Sequence, residues 1–476
     1  MSFAVALKWS FLSELAAKVV ASLLFVVLAR LLAPEDFGVV AAATMVITFS
    51  QIFWDAGMGQ AVIQYRGDRA AASDAAFWIN CVLALVASTL LFLTANVLAE
   101  RIFHDERVAA VLQVMSLQFL LTAAVSVHSA LLQKDMQFRP LFWMRLSTVA
   151  LPALISVPLA WQGFGYWALI AGTLGGQAAQ SVGLWRISPW RPRLSFDCRV
   201  AWELTRFGAW VGASGLLAWF YVWADSLIVG MYLGSHELGV FRTGNQLAMM
   251  IFAIPFGPIL PVLYSHLSRI GHDRHRLAQA VDKASRAVIL LATPIALIVF
   301  SLADPLAAAL LGPTWEGIGP VVAVMALAHG VSWVIGMNGE VYGAMGKPHY
   351  ETLSMAATLP IYLVAYVIAI REGLDLFLWT RLALAIGAML LRCAMLRATL
   401  LTNLLPIAGY FLKIAASVAF IVAATHHLGQ QLLWGAWPQL LIIGTVDVLL
   451  VGSAIVMLER KGIISEITKL MRTRQP

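Results

Sequence analysis

Charged residues are scarce in this chain, and they lie in short islands between long apolar runs. Asp, Glu, Lys and Arg make up 12% of the 476 residues, and hydrophobic residues make up 61%. A soluble domain is charged at about a quarter of its positions, so this composition excludes an ordinary soluble protein. It favours a chain that crosses a membrane many times, because one spanning helix needs about 20 apolar residues.

Cysteines and cofactor motifs are also scarce. The three cysteines, Cys81, Cys198 and Cys393, lack the spacing of a disulfide framework or a metal site, so we interpret them as structural. The chain has no phosphate-binding loop of the G-x-x-x-x-G-K-[ST] type and no H-E-x-x-H motif. We therefore expect no cofactor, no metal and no ATP hydrolysis. Glu14 and Lys18 interrupt the first apolar run, so we do not expect a cleavable signal peptide.

The basic excess of the chain, +7 at neutral pH, is concentrated in alternate loops. With the N-terminus in the cytoplasm, the cytoplasmic segments hold 23 Lys and Arg residues and the opposite loops hold three. The positive-inside rule explains this bias, and membrane lipids are the partners that it implies. Nucleic acid is not an expected partner. The bias predicts a multi-pass membrane protein with both termini in the cytoplasm.

Apolar segments of spanning length number fourteen. They predict an all-α integral membrane protein with about 14 transmembrane helices. The segments run approximately over residues 8–31, 37–58, 75–99, 107–132, 140–161, 164–185, 207–232, 237–264, 286–303, 317–343, 350–370, 376–400, 407–427 and 436–458.

An internal repeat relates the two halves of the chain. Residues 32–39, LAPEDFGV, align with residues 233–240, LGSHELGV, at an offset of 201. Each octet joins the first and second segment of a six-segment block, so the two blocks enter the membrane from the same side. Such parallel repeats are related by an axis along the membrane normal. The repeat predicts two pseudo-symmetric six-helix lobes with two further C-terminal helices: an N-lobe at 1–185, a cytoplasmic linker at 186–206, a C-lobe at 207–400, and helices 13 and 14 with a cytoplasmic tail at 401–476.

Ionisable residues within the apolar segments are the main functional signal, because a charge in a bilayer is costly. Glu14 and Lys18 lie four residues apart on one helix face, in the favourable order for a pair. Lys18 lies about 15 Å from the cytoplasmic end of its segment, near the bilayer centre. The pair either neutralises itself and packs, or places a cation in a water-filled cavity.

Four further cations lie within the apolar segments, namely Arg30, Arg145, Arg242 and Arg381. Snorkelling to the interface is the alternative for those near a segment end. Together with Lys18 they form the predicted cationic cavity that binds substrate. Four acids are assigned supporting or gating roles, namely Glu14, Asp55, Asp225 and Glu340.

Asp225 and Arg242 form the sharpest pair. They lie on consecutive segments at depths that differ by about 3 Å, so we expect them to pair. The pair is either structural or a gate. Trp219, Tyr221 and Trp223 lie deeper in the same segment as Asp225, where aromatic rings either pack or stack on sugars.

Several short motifs in a fixed order resemble the polysaccharide transporter family, in its WzxC-like branch of oligosaccharide flippases. This family belongs to the multidrug/oligosaccharidyl-lipid/polysaccharide exporter superfamily. Nearly the whole chain takes part. The motifs are LARLLAPEDFG at 28–38, DAGMGQAVI at 55–63, QKDMQFR at 133–139, GFGYWAL at 163–169, DSLIVG at 225–230 and ELGVF at 237–241. Two departures are Phe241, where tyrosine is usual, and Gly244, where alanine is common.

The resemblance implies a transporter of the bacterial inner membrane that works by alternating access between two lobes. Its cargo would be an oligosaccharide linked to polyprenyl pyrophosphate, for capsule, exopolysaccharide or lipopolysaccharide synthesis. A polysaccharide polymerase and co-polymerase would be its partners, and it would not be an enzyme. Cations that face a wet cavity would stabilise the pyrophosphate, and arginine can bind phosphate in a bidentate manner.

Two alternatives stay open on the sequence. A cation-coupled small-molecule or drug antiporter has the same architecture, and isolated deep carboxylates would favour it. A membrane-embedded polysaccharide assembly enzyme or scaffold is the alternative from another class. Short outer loops weigh against the enzyme, because two sugar substrates need surface outside the membrane.

Overall fold

The computed structural model describes residues 18–55, 57–257, 259–400, 405–431 and 435–472. Within these residues every element of secondary structure is a helix, and there is no strand. The prediction of an all-α membrane protein is therefore confirmed. Glu14 lies outside the described residues, so its predicted pair with Lys18 stays a prediction.

The helices of the first half are α1 at 18–31, α2 Pro34–Asp55, α3 Met58–Gln64, α4 Arg69–Leu98 with a π-helical turn Ala99–Phe103, α5 Glu106–Met115, α6 Leu117–Lys134, α7 Phe138–Trp161 and α8 Tyr166–Ile187. Those of the second half are α9 Cys198–Phe256, α10 Ile259–Ile270, α11 Arg274–Ser301, α12 Ala303–Leu311, α13 Ile318–Val334, α14 Asn338–Ala344, α15 His349–Ile370, α16 Leu374–Leu400, α17 Leu405–Gln431, α18 Ala436–Pro438 and α19 Gly444–Arg472.

Eleven helical stretches among the described residues are long and apolar enough to cross a membrane. The fourteen predicted segments match these stretches once three differences are explained. One stretch, Cys198–Phe256, holds two segments. Glycines and glutamines lower the hydropathy of α8, and α1 is described only from residue 18.

The longest helix, α9, is interrupted at Gly234. Its 59 residues would reach about 90 Å as a straight rod at 1.5 Å per residue, three times the thickness of a bilayer core. Gly234 has φ 84° and ψ −175°, a conformation that a side chain would make strained. This glycine lies within the second octet of the repeat, between the two segments predicted there.

The chain divides into two compact units, which are described separately. The first contains the helices up to Thr243 together with Met355–Leu374, and the second contains Gly244–Ser354 and the helices from Asp375 onward. These units are groups of helices that pack together, whereas the predicted lobes were defined by the internal sequence repeat. The lobes at 1–185 and 207–400 therefore stay a prediction. The predicted linker is largely helical at its ends, because α8 continues to Ile187 and α9 begins at Cys198.

Candidate substrate site

A half-buried guanidinium lies on an aromatic ring in the first unit. The Cζ atom of Arg242 is 4.1 Å from the centroid of the Trp223 ring, and its Nη1 donates to the Ser226 hydroxyl at 3.4 Å. Asp225 Oδ1 accepts from the backbone N–H of Ser226 at 2.6 Å and from its hydroxyl at 3.0 Å. Ser226 therefore links the carboxylate and the guanidinium that the sequence predicted to pair.

The break at Gly234 explains why these groups meet. Ser226 lies eight residues before the break and Arg242 lies eight residues after it, so each is about 12 Å from the turn. A cation–π contact of this kind contributes about 2 kcal/mol when it is desolvated. Asp225 and Ser226 are buried, at 4% and 0% exposure. The arrangement holds a cation within the span of an apolar helix pair.

The two octets of the repeat pack against each other in the first unit. A Cβ atom on Gly38 would overlap the carbonyl oxygen of Ser235, and one on Gly239 would overlap that of Pro34. Gly38 and Gly239 are equivalent positions in the repeat, as are Pro34 and Ser235. The helix starts at this junction therefore approach each other more closely than any side chain would allow.

Polar groups surround this junction at the predicted periplasmic end. Glu35 Oε1 lies 2.6 Å from His236 Nδ1. Asp105 accepts from the Ser235 hydroxyl at 2.7 Å and from the Arg107 guanidinium at 2.8 Å. Burial of Asp105 raises the pKa of its carboxyl, but hydrogen bonds from Arg107 and Ser235 outweigh burial and hold that pKa below its ordinary value.

Three tyrosine rings extend the aromatic character of the first unit. The ring centroids of Tyr221 and Tyr362 are 5.8 Å apart, and those of Tyr362 and Tyr366 are 5.9 Å apart. The outward face of α15 is defined by strongly exposed apolar residues at helical spacing, Ile361, Val364 and Ile368. The two α15 tyrosines lie on a different face of the helix. Tyr366 is buried, at 3% exposure, whereas Tyr221 and Tyr362 are half-buried. The partly exposed rings of Tyr221 and Tyr362 offer the kind of surface on which a sugar stacks.

The segment between α8 and α9 is bound to the end of the helix bundle. Asp74, which is 2% exposed, accepts from the backbone N–H of Arg193 at 3.1 Å and from the Ser195 hydroxyl at 2.9 Å. Trp78 donates to the Arg193 carbonyl at 2.8 Å. The ring of Trp190 packs on His128, with centroids 5.1 Å apart. The segment at 188–197, the strap, is thus held against α4 and α6 by hydrogen bonds and ring contacts.

In the second unit, two half-buried cations have defined contacts. Arg381 Nε lies 3.2 Å from Met325 Sδ. Arg392 Nη2 lies 3.6 Å from Glu351 Oε1, and both side chains are mostly buried. Glu340 is half-buried in the first turn of α14.

The remaining predicted site residues have different surroundings. Arg30 is exposed on α1 beside the exposed Val27 and Leu31. Lys18 is half-buried at the start of the described part of α1. Arg145 lies on α7, but its side chain is outside what the structure describes. Asp55 is half-buried at the end of α2. A single cavity that gathers all five cations therefore stays a prediction.

Sequence reasoning missed several polar contacts. It did not single out Arg392 or Glu351, which contact each other from α16 and α15. It aligned Glu35 with His236 but did not predict their contact. A search for charged residues at equivalent repeat positions would have found that pair. Among the described residues, no cluster of three or more His, Cys, Asp or Glu could hold a metal ion.

The fold and this set of intramembrane charges define a multi-pass inner-membrane protein with a transporter architecture. The fold is that of "Lipid II flippase MurJ, inward closed conformation", with a TM-score of 0.75 and 12% identity over 96% of this chain and all of that one. A multidrug resistance MATE family transporter in its inward-facing conformation matches with a TM-score of 0.61 and 13% identity over 80% of this chain and 95% of that one.

The chain belongs to the family described as "Polysaccharide biosynthesis protein", whose model matches residues 27–320. Its relatives include the succinoglycan biosynthesis transport protein ExoT of Rhizobium meliloti (strain 1021), 29% identical over 68% of this chain and 65% of ExoT. Another is the teichuronic acid biosynthesis protein TuaB of Bacillus subtilis (strain 168), 21% identical over 77% of this chain and 76% of TuaB. The chain spans about two thirds of the length of ExoT.

Proposed function

We propose that the protein is a flippase for polyprenyl-pyrophosphate-linked oligosaccharides. It moves repeat units across the cytoplasmic membrane by alternating access, for capsule, exopolysaccharide or lipopolysaccharide synthesis. The observation that carries the proposal is the Arg242 guanidinium held on Trp223 within the span of the membrane helices. Membership of a polysaccharide biosynthesis family supports it, and so do the roles for which ExoT and MurJ are named.

The cargo places two demands on such a protein. A pyrophosphate needs cations at membrane depth, and the proposed set is Lys18, Arg30, Arg145, Arg242 and Arg381. Sugars need aromatic faces and hydroxyls, which the half-buried Tyr221 and Tyr362 supply in the first unit. Transport needs no covalent chemistry, so the protein is not an enzyme. Both termini lie in the cytoplasm, and a polymerase with its co-polymerase receives the cargo outside.

Complementation tests the proposal directly. The gene is expressed in Rhizobium meliloti that lacks ExoT. It is also expressed in the native host after the chromosomal copy of this gene has been deleted. Restored surface polymer, lost again with Arg242→Ala at equal protein level, is the expected result. Arg242→Lys keeps the charge and retains part of the activity.

The same strains separate the alternatives. Resistance to cationic dyes without restored polymer would identify a drug antiporter and would contradict the flippase. Polymer assembly by the purified protein from two sugar substrates would identify an enzyme. Accumulation of lipid-linked repeat units on the inner leaflet of the Arg242→Ala strain supports transport as the blocked step.

A further inference from the structure

The strap carries exposed apolar side chains although it lies outside the spanning helices. Leu194 is 93% exposed and Phe196 is 54% exposed. Ser195, between them, donates its hydroxyl to Asp74. This hydrogen bond fixes the strap against α4 while both apolar neighbours of Ser195 stay exposed. Apolar side chains held in this way on a fixed surface indicate a partner that covers them.

The contacts of the strap place it at the level of the membrane surface. Its partners on α4 are Asp74 and Trp78, and the apolar run of α4 begins at about residue 75. Asp74 therefore lies just before that run, and Trp78 lies about one turn inside it. Tryptophan is enriched where a bilayer meets water. The strap thus lies among lipid headgroups rather than in the aqueous phase.

The first two turns of α9 continue the exposed surface of the strap. Val200 and Leu204 are buried against residues of α3, α4 and α6. Arg199, Trp202 and Arg206 are three and four residues apart, so they share the opposite face of the helix. The Trp202 ring is 71% exposed. This helix start therefore turns one aromatic ring and two arginines away from the protein.

Arginines outnumber acids on this surface. Residues 186–206 hold five arginines and two acids, Asp197 and Glu203. Asp197 accepts from the backbone N–H groups of Arg199 and Val200 and so caps α9. Glu203 Oε1 lies 3.7 Å from Arg199 Nε on the exposed helix surface, where solvent weakens an ion pair. The surface therefore keeps an excess of positive charge.

Two of the arginines keep all their side-chain donors available. Arg193 and Arg206 are exposed, and their guanidinium groups make no hydrogen bond or ion pair with the described residues. Arg191 differs, because it donates to three backbone carbonyls and stacks on Trp185. The donors of an arginine match the oxygens of a phosphate. Exposed arginines beside apolar side chains at headgroup level suit an anionic phospholipid.

We propose that this surface binds anionic phospholipids of the leaflet on its own side of the membrane. Its leucine and aromatic rings enter between the headgroups, and its arginines contact the lipid phosphates. The interaction depends neither on the transported cargo nor on which side of the membrane the strap faces. We call the surface the interfacial patch, and its residues are Arg193, Leu194, Phe196, Arg199, Trp202 and Arg206.

Fluorescence quenching in nanodiscs tests the proposal on the whole protein. In a Cys81→Ala, Cys393→Ala protein, an NBD fluorophore on the native Cys198 reports on lipids at the patch, because Cys198 is exposed directly after the strap. Phosphatidylcholine nanodiscs are titrated with phosphatidylglycerol or phosphatidylcholine that carries a nitroxide at the same acyl position. Half-maximal quenching by phosphatidylglycerol should need a mole fraction at least about tenfold lower. Unlabelled phosphatidylglycerol should relieve the quenching.

Arginine variants test the contact with the headgroup. Arg193→Gln should weaken the preference for phosphatidylglycerol about fivefold, the effect of one arginine near an anionic surface. Arg193→Gln combined with Arg206→Gln should abolish the preference, and so should high salt. Arg274→Gln removes an exposed arginine of the second unit and should leave the preference unchanged. Equal effects of Arg193→Gln and Arg274→Gln would show a general effect of net charge and overturn the patch.

Variants of the apolar side chains test insertion. Leu194→Ser combined with Phe196→Ser should reduce quenching by both lipids, because the strap no longer enters the headgroup layer. Leu194→Ala serves as a milder variant if gel filtration shows that the double variant folds poorly. Equal quenching of the parent protein by the two lipids would overturn selection of anionic headgroups. Quenching by neither lipid would place the patch away from the bilayer, as a soluble acidic partner requires, and would also overturn the proposal.

Discussion

Glu35 and His236 stand at equivalent positions of the two repeats and contact each other, with Oε1 and Nδ1 2.6 Å apart. A residue that meets its own repeat equivalent lies on a local two-fold axis. Gly38 and Gly239, also equivalent, meet at the same axis. The repeat thus has a local structural counterpart within the first unit. The wider superposition of residues 1–185 on 207–400 is a prediction that an experimental structure will test.

The close approach at this axis predicts an unequal response to two alanine substitutions. Gly38→Ala places a methyl group against the Ser235 carbonyl, so the helices must separate. Overpacking of this kind costs about 1–3 kcal/mol. Gly59→Ala meets its nearest side-chain atom at 3.7 Å, an ordinary contact, and serves as the control. Thermal unfolding in detergent should show a clear loss for Gly38→Ala alone. Equal stability of both variants would contradict the close contact.

Asp225 and Arg242 should be functionally coupled through Ser226. Asp225→Ala removes the acceptor that holds Ser226 and leaves a half-buried guanidinium poorly compensated, at a cost of about 3–5 kcal/mol. Transport should fall sharply, and exchange of the two charges in a double variant should recover part of it. Ser226→Ala should have a smaller effect, because it removes only the bridging hydroxyl. Additive losses with no recovery in the exchange variant would show that the residues act independently.

Asp105 should make the outer junction sensitive to acid. Its pKa in the folded protein is depressed below the ordinary value of 3.8, so it contributes stability above that ordinary pKa. The contribution is lost as the pH falls through the depressed pKa. Asp105→Asn should be less stable than the parent near neutral pH, and the difference should vanish in strong acid. Thermal unfolding between pH 7 and about pH 2 measures it. A constant difference at every pH would contradict the assignment.

The strap between α8 and α9 should come loose without Asp74. Asp74→Ala removes the acceptor for the Arg193 backbone and the Ser195 hydroxyl, so trypsin should cut this segment faster. Asp68→Ala removes an exposed acceptor at the start of α4 and is the matched control. Cleavage rates followed by mass spectrometry at the strap provide the test. If the two variants are cut equally fast, Asp74 does not hold the strap.

Native Cys198 can report the orientation of the chain. It is exposed at the start of α9, whereas Cys81 and Cys393 are half-buried. In a Cys81→Ala, Cys393→Ala protein, a membrane-impermeant maleimide should label inverted vesicles and not intact cells. This outcome follows from the excess of Lys and Arg on the same side as Cys198. Labelling of Cys198 in intact cells would contradict the proposed topology. Labelling of a cysteine introduced at Arg191 in intact cells would contradict it as well.

The amino-acid sequence alone determined that the chain is an all-α membrane protein, where its apolar segments lie and which family it resembles. These properties follow from local hydropathy and from the order of short motifs, both of which can be read along one dimension. The division at Gly234 was also predictable, because the repeat octet marks a junction between two spanning segments. The approximate depths of Asp225 and Arg242 came from the same count of residues.

Only the tertiary structure decided which of these groups meet. The depth of a residue along a helix is set by its residue number. The direction of its side chain depends on how the helices rotate and cross. Hydropathy does not encode that rotation when helices are apolar on most faces. The contact of Arg242 with Trp223 and the pairing of Glu351 on α15 with Arg392 on α16 both depend on that packing. Equivalent positions in a repeat touch only if they lie on the axis, so the contact of Glu35 with His236 depended on how the two helix pairs cross.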